Sequence, residues 1–189
     1  LSGSAFRKIY YDQNLGRAVS KFIPSEDLIV PYAATDLHSA TRITHVINMS
    51  INDIKKLQQI GFYSDVDVDS GNMLAEETDG IQEEIDELQG VSPSYNDDDT
   101  CKVYEIHTEL DIPGFEDLNA QGEETGIKLP YIVTIANDKV LSVRRNYREE
   151  DPLKRRINYF VHYKFLPGLG FYGFGLIHMI GGLSRTATT

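Results

Sequence analysis

Six residues near the carboxyl end, Gly168-Leu169-Gly170-Phe171-Tyr172-Gly173, spell G-x-G-x-x-G. That spacing lets a strand-to-helix turn present backbone N–H groups to a pyrophosphate. The surroundings argue against such chemistry. A dinucleotide site needs an acidic residue about 20 positions beyond the glycines to hold a ribose, and the 16 residues after Gly173 include no Asp or Glu. Phe171 and Tyr172 are bulky where the backbone should approach phosphate. The loop still defines one function class to weigh, a nucleotide-binding enzyme fragment using Gly168–Gly173.

Other reactive residue types are thinly spread. Asp65-Val66-Asp67-Val68-Asp69-Ser70-Gly71 runs on to Glu76 like a calcium loop, yet its glycine stands at position 7 instead of 6. Its apolar residues at even positions read as a strand. His38, His45, His107, His162 and His178 form no i, i+4 pair, so no zinc site is expected, and those in strand-like runs read as structural. Cys101 is the single cysteine, which excludes an internal disulfide and reads as a thiol in or beside a strand. With no nucleophile elbow, Walker loop or kinase signature, we expect neither an enzyme nor a bound cofactor or metal.

Charge divides the chain. Leu57 to Cys101 carries 13 Asp and Glu and no Lys or Arg, leaving +2 for the remainder of a chain of net charge −11. That block cannot grip phosphates, and it reads as a solvated acidic insertion or, as a further function class, an acidic protein-binding module. The opposite sign gathers from Arg144 to Lys164, at +4. Arg144, Arg145, Arg148, Arg155 and Arg156 there are candidates for weak contacts with DNA or an acidic partner. The plainer expectation is a hairpin tip whose basic residues pair with neighbouring acids.

The 19 residues from Phe165 to Leu183 carry no Lys, Arg, Asp or Glu. They suit a membrane span poorly, because Pro167 and six glycines leave helix only from about Phe174, roughly half the ~20 residues a span needs. What fits is an aromatic-packed hinge that turns the chain from a sheet into a helix. The sequence opens at Leu1 without a leader pattern and stops at Thr189 without a cap, and so reads as a piece of a longer protein.

The elements that must position these residues follow from periodicity. Ser4 to Tyr11 and Val19 to Ile23 form a hairpin, Pro24 to Pro31 is extended or a short connector, and Thr41 to Met49 is a strand. Ser50, with Asp53 three residues on, caps a helix whose Ile51, Ile54, Leu57 and Ile60 share one stripe. Glu76 to Gln89 is a second helix candidate. Strands follow at Lys102 to Leu110, Tyr131 to Ile135, Val140 to Asn146 and Ile157 to Phe165, with Asn137-Asp138 as a tight turn and Pro113 to Pro130 as a longer connection. The expected fold is α+β, mostly antiparallel sheet with a few short helices, ending where a longer helix starts. We divide it into 1–61, an acidic insertion 62–101, a sheet region 102–165, and a hinge with the helix start at 166–189.

Three segments carry a family resemblance. Val30 to Ile47 (VPYAATDLHSATRITHVI), Leu110 to Ile135 (LDIPGFEDLNAQGEETGIKLPYIVTI) and Leu141 to Gly182 (LSVRRNYREEDPLKRRINYFVHYKFLPGLGFYGFGLIHMIGG) resemble the portal protein of tailed bacteriophages, in the branch of short-tailed phages and prophages. The last is the most specific, and 57–101 matches least. The resemblance implies a ring of twelve copies at one capsid vertex, a conduit for double-stranded DNA during packaging and ejection. It also implies capsid, scaffolding, terminase and tail or adaptor proteins as partners, and a place in the virion after assembly in the host cytoplasm. It makes this chain most of the peripheral wing, with Gly175 onward starting a stem helix. Pro167, Gly168, Gly170, Phe171, Tyr172, Gly173 and Gly175 then become the candidate hinge and subunit contacts.

Overall fold

The computed structural model describes residues 3–12, 15–68, 100–119, 121–168, 170–176 and 178–180. The helix candidate at 76–89 and most of the acidic insertion lie outside the described residues. The fold is α+β, with two antiparallel sheets and one short helix among the described elements. A three-stranded sheet has the order β2-β1-β8, from Arg17–Ile23, Ser4–Asp12 and Phe160–Lys164. A five-stranded sheet has the order β3-β4-β5-β6-β7, from Leu28–Ile29, Arg42–Ser50, Thr100–Leu110, Leu129–Ala136 and Lys139–Arg145.

Two compact units result. The first comprises Leu1–His45, His107–Tyr131 and Arg145–Thr189, and the second Val46–Ile106 and Ile132–Arg144, so the division falls within β4, β5, β6 and β7. Each unit has its own core. In the first, Phe6 of β1, Ile23 of β2 and Phe160 of β8 pack with Leu28, Leu37, Ile43 and Phe171. In the second, Ile54 of the helix packs with Tyr63, Val68, Cys101, Val103, Ala136 and Leu141. Burying one such side chain fully contributes about 1.5–3 kcal/mol.

Local chemistry explains the elements. β1 and β2 pair from Phe6↔Ile23 to Asp12↔Arg17, the hairpin expected from their aromatic and β-branched residues. Asn137 and Asp138 have φ of 45° and 61°, and two successive positive φ values are what a tight turn between β6 and β7 requires. The helix α1 spans Ile51–Gln59, and its cap Ser50 accepts the Asp53 N–H at 3.1 Å. Asp53 pairs with Lys56 at 2.9 Å instead of closing a reciprocal box. Cys101 lies buried in β5, where burial pushes its thiol pKa up and makes it a poor nucleophile.

Several expectations need correction. Ile60 is exposed, because the helix ends at Gln59 and the turn at Ile60 and Gly61 rotates that side chain out of the stripe. Residues 64–68 form no strand: Val66 N–H bonds the Ser64 carbonyl, a local turn that displaces ladder bonding, although Val68 still points into the core. Of the two readings of Pro24 to Pro31, the extended one holds at Leu28 and Ile29, which form β3 and pair with His45 and Thr44. The last strand begins at Phe160, not Ile157, because the Ile157 N–H is taken by the Asn146 carbonyl. It pairs with β1 instead of with its sequence neighbours.

Replacing Ser50 by Ala should lower the stability of the second unit by about 1 kcal/mol, while Ser50→Asp should retain most of it, as read by urea unfolding.

Candidate functional site

Past β8 the chain doubles back on itself. Leu166 and Phe174 form an antiparallel bridge, with Phe174 N–H on the Leu166 carbonyl at 2.8 Å, so residues 166–174 close into a pinched loop. The loop is pinned to the start of β1. Gly173 N–H donates to Ser4 Oγ at 2.9 Å, and Phe165 N–H donates to the Gly3 carbonyl at 3.0 Å. The backbones of Gly3 and Gly173 approach so closely that a Cβ on Gly173 would lie 2.6 Å from the Gly3 oxygen and 2.9 Å from that of Leu166.

Glycine at 173 is therefore needed for close approach. None of Gly168, Gly170 and Gly173 takes a φ in the left-handed region. A Cβ on Gly168 would press against the Phe174 ring at 3.1 Å, whereas one on Gly170 would meet nothing within 4 Å. Gly173 and Gly175 are buried, Pro167 and Tyr172 are exposed, and Phe171 is buried. Residues 176 and 178–180 take helical backbone. Among the described residues, no helix is long and apolar enough to cross a membrane.

An aromatic stack fixes this junction. The His162 ring lies 4.4 Å from Phe6 and 4.9 Å from Phe171, centroid to centroid, and Tyr172 meets Phe171 edge-on at 5.1 Å. His162 Nε2 is 3.0 Å from Ser4 Oγ, the same hydroxyl that receives Gly173 N–H. Burial, with Lys164 nearby, lowers the pKa of His162. The remaining strand histidines are structural as well: His45 and His107 are buried edge-on to Phe160. Among the described residues, no cluster of three or more His, Cys, Asp or Glu side chains has the geometry to hold a metal ion.

Four of the five arginines named from sequence are engaged by neighbouring groups. Arg144 stacks on Phe62 at 4.7 Å and lies 3.7 Å from Glu105. Arg145 pairs with Glu149, and Arg155 pairs with Asp151 at 2.9 Å. Arg156 donates to the carbonyls of Ala40, Leu37 and His38 at 2.7, 2.9 and 3.2 Å, and burial lowers its pKa. It clamps the loop that Asp36 caps through the N–H groups of His38 and Ser39. Arg148 is left exposed beside them.

Sequence reasoning missed a second feature, the connection at 111–128. Tyr131 Oη donates to the Phe115 carbonyl, Asp117 pairs with Lys154 and accepts from Thr125 Oγ1, and Leu118 forms a bridge with Glu124. These bonds make it an ordered tongue. The signal lay in the sequence, in Gly114, Gly122 and Gly126, whose φ values are 84°, 80° and 68°.

A scan against protein-family models finds no match to this chain, and no curated protein matches it.

Gly173→Ala should destabilise the first unit by about 1–3 kcal/mol through backbone displacement, with Gly170→Ala near neutral, in paired denaturant titrations. For His162 the unfolded chain takes up the proton first as pH falls through the ordinary 6.5, so stability should decline below that pH. His162→Gln should flatten that slope in the same titrations.

Proposed function

We propose that this chain is the wing region of a portal subunit, a structural, non-enzymatic component of a ring at one vertex of a tailed-phage capsid. DNA enters through such a ring during packaging and leaves through it during infection. The junction carries the reading. An apolar run including Phe165, Leu166, Phe174, Leu176, Met179 and Ile180 leaves the glycine pinch about half exposed, where the resemblance puts the first turn of a stem helix. An apolar row of that kind gains from burial against neighbouring copies. The antiparallel α+β architecture accords with a wing.

The electrostatics favour a structural wing over a DNA clamp. Arg144, Arg145, Arg155 and Arg156 are each engaged by an acid, a ring or a carbonyl, and affinity for the duplex scales with the phosphates that free cations neutralise. Partners on this reading are other copies, capsid and scaffolding proteins, the terminase, and tail or adaptor proteins, in the virion. The nucleotide reading loses support at the same place, since the Gly173 N–H it would use is bonded to Ser4.

Negative-stain images of the full-length gene product should show rings, and monomers alone at high concentration would overturn the proposal. The chain itself should bind DNA weakly and lose that binding with added salt; tight binding in physiological salt would contradict the conduit assignment. Millimolar NAD or ATP should leave the melting temperature unchanged, and a clear rise would favour the enzyme class instead.

A further inference from the structure

The tongue at 111–128 joins β5 to β6 without entering either core. None of its described residues is buried, and Phe115, Leu118 and Ile127 are 58%, 56% and 58% exposed. Apolar burial therefore does not hold it down. Its shape comes from its own bonds. Asn119 Oδ1 accepts the N–H groups of Gln121 and Glu123, each at 2.9 Å, and the Asn119 N–H donates to the Glu123 carbonyl at 2.9 Å. Thr125 gives its N–H to the Asp117 carbonyl at 2.9 Å and its hydroxyl to the Asp117 carboxylate at 2.7 Å. A segment braced from within keeps its form when it moves as one body.

A glycine in the left-handed region stands on either side of that braced part. Gly114 has φ 84° and Gly126 has φ 68°, and a Cβ on either would meet nothing within 4 Å. Such positions absorb backbone rotation at little steric cost, which is what a hinge requires.

Among the described residues, two polar bonds tie the tongue to the rest of the first unit. Tyr131 Oη donates to the Phe115 carbonyl at 3.3 Å, and Lys154 pairs with Asp117. The ion pair rests on a strained residue. Lys154 has φ 43°, a left-handed backbone that side chains with a Cβ rarely adopt. Its ammonium lies 5.9 Å from the Tyr147 ring, which meets Tyr131 edge-on. Strained backbone of this kind persists where the surroundings enforce it, and it gathers at clamps and switch regions.

We propose that the tongue is a hinged strap, turning as one body about Gly114 and Gly126, with Lys154 as a latch whose release from Asp117 relaxes its own backbone. Opening also frees the Tyr131 hydroxyl. An element with no buried residue and two anchoring bonds lies at the low end of local stability, so it opens well before the unit unfolds. The strap goes beyond the ring reading and does not depend on it.

Substitutions at the latch test it, in the 189-residue chain carrying nitroxide labels through Gln121→Cys on the tongue and Ala18→Cys on β2. Cys101 is buried out of reach of the label. Double electron–electron resonance should give one dominant distance for the parent. Lys154→Ala, Lys154→Gly and Asp117→Asn should each add a second population about tenfold above the parent's, whereas Lys154→Arg, which keeps the charge, should stay close to the parent. Lys154→Gly should also unfold at higher urea than Lys154→Ala, since only glycine relieves the left-handed backbone. Amide chemical shifts of Gln121, Glu123 and Thr125 in Lys154→Gly should remain at parent values, because those groups travel with the strap. A single unchanged distance in every variant, tongue shifts that collapse to unfolded values as the second population appears, or Lys154→Gly less stable than Lys154→Ala would each overturn the latched strap.

Discussion

One hydroxyl holds the first unit together at its most demanding point. Ser4 Oγ receives the Gly173 N–H at 2.9 Å and stands 3.0 Å from His162 Nε2, with the Gly3 and Gly173 backbones in contact beside it. Those bonds lie among Phe6, Phe171 and the imidazole, where an unpaired N–H would cost about 1–3 kcal/mol. β1 is the central strand of its sheet, so a single residue at its start joins β8, the loop beyond it and the core. The positions of Gly173 and Phe174 at the end of the loop follow from that knot.

Among the described residues, the cations of the basic stretch serve the fold. Arg156 fastens residues 37–40 through three carbonyls, Lys154 holds the tongue through Asp117, and Arg145 and Arg155 close single turns with the acids four residues away. Asp117 and Lys154 have pKa values shifted apart by their hydrogen bond, lower for the acid and higher for the amine, which keeps the pair charged. The sequence displayed a cluster of like charge. The fold distributes it among separate structural tasks.

How much was legible depended on whether the signal was local. The hairpin of β1 and β2, the Ser50 cap and the Asn137-Asp138 turn are each decided by a few adjacent residues, and each was readable. The face of β5 was harder, because its buried positions include Glu105 and His107 beside Cys101 and Val103, and a polar residue on the inner side breaks the pattern that periodicity relies on. β4 buries Ile43, Thr44 and His45 in succession, which erases alternation altogether. The partnership of β8 with β1 has no local signature. At the candidate junction the glycines were readable as special, but not the reason for them, since the backbone that excludes a Cβ at Gly173 comes from the far end of the chain.

That pairing has a kinetic consequence. Ser4 and His162 are 158 positions apart, yet they share a bond within one sheet. Until residues near 164 leave the ribosome, β1 has β2 on one side and an open edge on the other, with Phe6 uncovered. Such an edge invites pairing with other chains. Sheets closed by distant segments also fold slowly, because the loop entropy is spent before the contacts that offset it form. Synthesis at about 5–20 residues per second leaves that edge open for roughly 7–30 seconds. The aromatic stack on His162 and Phe171 cannot form until that last strand is available.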